Sequence, residues 1–166
     1  MKKKIGIIAL FGLLAVSGIS YAEYVPEDID PEAYNEIETD CWAAERKMDI
    51  QEIVNCHKDL ADWHKKKGKY DIAYYEIEQA GYYCTMDRDY KNAIKYTLES
   101  IDGFKKIGNK EGEADGYRQL GYIYKEKGDK KKAKEYYMKA YELYKSIGAE
   151  EDAQNTLKAM MGKARY

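Results

Sequence analysis

Tyr117, Leu120, Gly121 and Tyr124 stand at i, i+3, i+4 and i+7, which is one face of a helix. Lys127-Gly128-Asp129 then interrupts the pattern, with Gly128 suited to end one helix and Asp129 suited to cap the next. Ala133, Tyr137, Ala140, Tyr141 and Tyr144 resume it as the face of a second helix, and Ile147-Gly148 closes that. The only prolines, Pro26 and Pro31, both precede this region, so nothing downstream breaks a helix. The pattern predicts an all-α body made of helix pairs.

The pair recurs. Residues 74–113 overlie residues 114–153 at an offset of forty: Tyr96 meets Tyr136, Phe104 meets Tyr144, Ile107-Gly108 meets Ile147-Gly148, and Gly81 meets Gly121. A fainter copy occupies 34–73, where Tyr34 meets Tyr74, Ile37 meets Ile77 and Gly68 meets Gly108. In that copy Asp40 stands where Ala80 and Leu120 lie, and Cys41 replaces the glycine. A terminal repeat with one face in water is expected to drift in this way. Residues 154–166 are expected to form a final capping helix.

The run Tyr117-x-x-Leu120-Gly121-x-x-Tyr124, followed by Ala133, Tyr137 and Ala140, resembles the tetratricopeptide repeat signature, in a forty-residue variety with extended helices. The resemblance covers residues 34–153. It implies an all-α fold: a right-handed α-solenoid of three helix-turn-helix repeats plus the capping helix, with a concave groove. It also implies binding of a peptide or protein and no catalytic activity.

The N-terminus reads differently. Lys2, Lys3 and Lys4 precede an apolar run from Ile5 to Val16, and Ser20-Tyr21-Ala22 supplies small residues at the positions a signal peptidase reads. Residues 1–22 are therefore expected to be a signal peptide cleaved after Ala22, with residues 23–33 as a lead-in. Retention as an anchor is the alternative. The expected location is the periplasm or the exterior, with no membrane span after cleavage. The whole chain carries a net charge of −2, and it becomes more acidic once the three lysines are removed. Without a basic stripe to neutralise phosphates, nucleic acid is not the expected partner.

Composition adds one point: 18 tyrosines stand against 2 phenylalanines and 2 tryptophans. Tyrosine buries a ring while keeping a hydroxyl for water or a partner, which suits a thin two-layer fold. In a solenoid of this family the first helix of each pair lines the groove. Residues at the repeat offset should then form columns there: Trp42, Tyr82 and Tyr122; beside them Glu38, Glu78 and Arg118; and Glu45, Thr85 and Lys125. Large aromatics supply much of the contact energy of such surfaces. The other reading is that these rings only fill space between helices. One groove type of the family grips a C-terminal carboxylate with lysines, arginines and asparagines, but here those positions hold Glu38, Glu78, Trp42 and Tyr82.

Cys41, Cys56 and Cys84 allow one disulfide, for which Cys41–Cys56 is the leading pair and Cys56–Cys84 the second; three small buried residues are the third reading. Cys56-His57 and His64 do not form a haem or metal signature, because Ile53 stands where a haem motif needs cysteine and the histidines lie seven apart. No phosphate loop or nucleophile elbow is present, and the carboxylates alternate with lysines, so no cofactor, metal or catalytic residue is expected. The functional expectation is an exported protein–protein interaction module acting in envelope assembly or in regulating a complex. The alternatives are a self-assembling homo-oligomeric solenoid and a Cys/His metal-binding accessory protein.

Overall fold

The computed structural model describes residues 31–162, and describes side chains from residue 34 onward. The expected signal peptide, most of the lead-in and the last four residues lie outside the described residues. Seven helices follow one another: α1 (Pro31–Lys47), α2 (Ile50–Lys66), α3 (Tyr70–Met86), α4 (Tyr90–Ile107), α5 (Lys110–Glu126), α6 (Lys130–Ser146) and α7 (Glu150–Met160). There is no strand among the described residues. No described helix is long and apolar enough to cross a membrane. Each helix packs on the next, and α3 also touches α5. That is the arrangement of an all-α solenoid of helix pairs, with α1, α3, α5 and α7 in one layer and α2, α4 and α6 in the other.

The turns between helices are built alike. One residue in each takes a left-handed conformation: Met48, Gly68, Arg88, Gly108, Gly128 and Gly148. The following residue then caps the next helix. Asp49, Asp89, Asn109 and Asp129 each accept a bond from a backbone N–H three residues on, at 2.9–3.1 Å. Each such cap stabilises by about 1 kcal/mol. These turns and caps place the helix starts three or four residues ahead of repeat boundaries drawn at 34, 74, 114 and 154. The chain enters a helix at its cap, whereas the boundaries follow the first matching aromatic.

Small residues let the layers approach. Ala73, Ala80, Ala93, Ala114, Ala140 and Ala153 have no exposed surface. A Cβ on Gly121 would lie 2.7 Å from the Tyr137 ring, so the glycine is needed for α5 and α6 to pack this closely. Ile101, Leu120, Ile123 and Tyr144 fill the space that remains. Residues 117–144 pack as their spacing predicts: Leu120, Gly121, Tyr124, Ala133, Tyr137, Ala140 and Tyr144 are buried, and Tyr117 and Tyr141 are half-buried. At the N-terminal end α1 is held less deeply, through buried Ala44 and through Tyr34, whose ring centre lies 5.0 Å from that of Trp63.

Candidate functional site

The layer formed by α1, α3, α5 and α7 carries the residues singled out by the repeat offset. Trp42 on α1 is 54% exposed and Tyr82 on α3 is 44% exposed, while Tyr122 on α5 is half-buried. Exposed rings of this size recur along the layer, with Tyr75 one turn before Glu78 on α3. Arg46 lies over the Trp42 ring at 4.8 Å, and Tyr83 meets Tyr82 edge-on at 5.7 Å.

The charged columns do not present a uniform row of free groups. Glu38 is exposed and hydrogen-bonds with Tyr34. Glu78 is buried, and its carboxyl is pushed up to about 8, by burial first and by Asp115 second, with Arg118 pulling the other way. At neutral pH Glu78 is therefore largely protonated, although at the same column position Glu38 faces water. Arg118 is half-buried: it donates to Asp115 on its own helix and reaches Asp152 on α7 at 4.0 Å. Lys125 is half-buried and its Nζ donates to the Ala159 carbonyl on α7 at 3.3 Å. Thr85 is buried and donates to Gly81 O at 2.9 Å. Glu45 is exposed.

Arg118 sits at the centre of a cluster from four helices. Besides Asp115 and Asp152, its guanidinium lies 5.7 Å over the ring of Tyr144 from α6, and the Tyr144 hydroxyl donates to Asp115. Burial raises the Tyr144 hydroxyl far above its ordinary range, and Asp115 adds to that. Gln119 donates from Nε2 to the Glu78 carbonyl at 3.0 Å and so ties α5 to α3 beside the cluster. Carboxylates interspersed with lysines are expected to form a solvated face. That holds on α6, where Lys139 meets Glu135 at 3.0 Å, but not on α3. No basic residue stands between Lys69 and Arg88, and both Glu76 and Glu78 are buried. The absence of a nearby lysine is the sequence signal for them.

Glu76 takes His57 as its partner, with Nδ1 to Oε2 at 2.7 Å, and the His57 ring stacks on Tyr83 at 5.2 Å. His64 is buried beside Trp63 and Tyr34, its Nδ1 has no protein partner, and burial lowers its pKa. Cys41 and Cys56 meet as a disulfide between α1 and α2, with Cα atoms 5.4 Å apart, within the range such a bridge requires. Cys84 is a buried thiol pushed up to about 11 by burial, then by Asp89 and Asp87. Among the described residues, no three of His, Cys, Asp and Glu gather as a metal-binding group.

A search of curated proteins finds no match for this chain. A tetratricopeptide-repeat family model matches residues 71–146, a span that runs from the first turn of α3 to the end of α6. That family is typically a non-enzymatic scaffold for protein–protein contacts. The matched span is similar to tetratricopeptide repeats, and it coincides with the helix pairs α3–α4 and α5–α6.

Proposed function

We propose that this protein is an exported interaction module that holds a peptide or protein segment along the face formed by α1, α3 and α5. The observation that carries this reading is the exposure of Trp42 and Tyr82 at equivalent places on α1 and α3. Large rings left in water at one register along a repeat layer are what a docking surface needs. Tyr122 extends the row, while Glu38 and Glu45 bring charge to the α1 end, and Arg118 and Lys125 to the α5 end. Export through the N-terminal segment is consistent with the paired cysteines, since disulfides persist in oxidising compartments. A role in envelope assembly or in regulating a larger complex follows from that location.

Crosslinking in the native envelope, followed by identification of what is captured, tests the reading. Trp42→Ala and Tyr82→Ala are expected to weaken capture at least tenfold while the helical circular-dichroism signal survives. Undiminished capture by both variants makes the rings structural. The same preparation reads the mature N-terminus by mass, which is expected to begin at Glu23.

A further inference from the structure

The α5–α6 turn gathers positive charge that the fold does not require. Lys127, Lys130, Lys131, Lys132 and Lys134 all stand exposed. None of them enters an ion pair among the described residues. The acids beside them are mostly engaged elsewhere: Asp129 caps α6 by accepting from the Lys132 N–H at 3.0 Å, and Glu135 pairs with Lys139 at 3.0 Å. One repeat earlier the same turn is built with Asp87, Tyr90, Asn92 and Ile94 where these lysines stand, and Asp89 caps α4 in the same way. The lysines also work against their own helix. Cations in a first turn face the positive end of the helix dipole, and Lys130 and Lys134 repel each other at i, i+4. By contrast α5 opens with Glu111 and Glu113, and α7 with Glu150, Glu151 and Asp152.

The neighbours of this turn can be placed from three contacts. On α5 and α6, Asp115 meets Tyr144 whereas Gly121 faces Tyr137, so the two helices run antiparallel. The Tyr90 hydroxyl donates to the Glu126 carbonyl at 3.3 Å, and Lys125 Nζ to the Ala159 carbonyl at 3.3 Å. The start of α4 and the end of α7 therefore flank the end of α5. This puts Met86, the last residue of α3, and Met161, just past α7, on the same rim as the lysines. Met86 is 50% and Met161 54% exposed.

We infer that this rim rests on an anionic phospholipid surface, with the lysines pairing with headgroup phosphates and Met86 and Met161 entering the interface. The surface is separate from the docking face and does not depend on it. Lysine ammoniums are compact charges on long apolar stems, suited to many phosphates of no fixed spacing. Unbranched methionines flanking such charges add the apolar contact that a peripheral membrane site uses. The chain as a whole is acidic, at −2, but screening confines the attraction to the rim itself.

Vesicle pelleting of the whole mature chain at pH 7 tests this. Vesicles of phosphatidylcholine mixed with phosphatidylglycerol should bind it at least tenfold more tightly than phosphatidylcholine alone, and high salt should release it. Replacing Lys130, Lys131 and Lys132 together by glutamine should abolish the tenfold preference. The same variant should melt no lower than the wild type, since lysines kept for folding would lower it on removal. Replacing Lys66, Lys106 and Lys110, exposed lysines of the opposite rim, by glutamine should leave the preference intact. Met86→Ser with Met161→Ser should weaken binding several-fold while release by salt persists. Equal binding to the two kinds of vesicle overturns the inference, as do equal losses in the two lysine variants or unchanged binding in the methionine variant. Tighter binding to poly-glutamate or to an oligonucleotide than to the anionic vesicles also overturns it, by making the partner an acidic polymer.

Discussion

At Glu78 a carboxyl group is folded against its neighbours on a helix with no basic residue, and it keeps a proton up to about pH 8. Its folded-state pKa lies above the ordinary value of 4.5, so its contribution to stability is full below that value and is lost as pH rises toward 8. Between these limits the penalty grows to about 4 kcal/mol at most. Glu78→Gln removes it, so the variant should lose less stability than the wild type between pH 5 and 8.5. Urea unfolding at several pH values measures this, and parallel curves for the two proteins would show a solvated, ionised carboxyl. The repeat offset brought Glu38, Glu78 and Arg118 to one column, but it could not tell their surroundings apart. Glu38 lies on the outermost described helix and faces water; Glu78, at the same position one repeat on, is covered by α5. Periodicity reads position within a repeat, whereas burial depends on which repeat comes next.

Among the elements, α1 is the one whose attachment depends least on packing. Ala44 is its only deeply buried apolar residue among those described, and Cys41 ties it covalently to α2. A bridge across a separation of 15 residues is worth about 3 kcal/mol through the unfolded state. Reduction, or Cys41→Ala, is therefore expected to loosen α1 first. Amide exchange there should accelerate while α4, α5 and α6 keep their protection, and mass spectrometry of exchange resolves the difference. Unchanged protection in α1 after reduction would show that Tyr34, Trp63 and Ala44 suffice to hold it. The helices themselves were legible in the sequence because their stop signals are local. Gly68, Gly108, Gly128 and Gly148 each mark a turn that demands positive φ. Met48 and Arg88 occupy the same place in α1–α2 and α3–α4 and adopt the same φ with a side chain present, at about 1 kcal/mol each. Those two turns carry no glycine, and the aspartates after them, Asp49 and Asp89, which cap α2 and α4, are the local signals for those helix starts.

For the whole molecule, stability is a chain of neighbour contacts, because each helix buries its face mainly against the one before and the one after. Charge is distributed unevenly along that chain: α3 has three acids and no base, whereas α6 has six lysines against two glutamates. The C-terminal end is closed by α7. Ala153 and Thr156 have no exposed surface, and Ala153 packs with Ala114, Ala140 and Tyr144 from the preceding pair. Asp152 reaches Arg118, and the Ala159 carbonyl accepts from Lys125. A chain ending at Gly148 loses all of these at once and lays bare the α5–α6 core, including Tyr144. If contacts propagate only from neighbour to neighbour, amide protection should collapse in α5 and α6, fall partly in α4 and persist in α2 and α3. A uniform loss across all helices would instead mark the solenoid as one cooperative unit. Under the first outcome the α1–α3 half, which carries Trp42 and Tyr82, folds without the α5–α7 half, and the truncated chain keeps those two rings in place while losing Tyr122 and the Arg118 cluster from the ordered part.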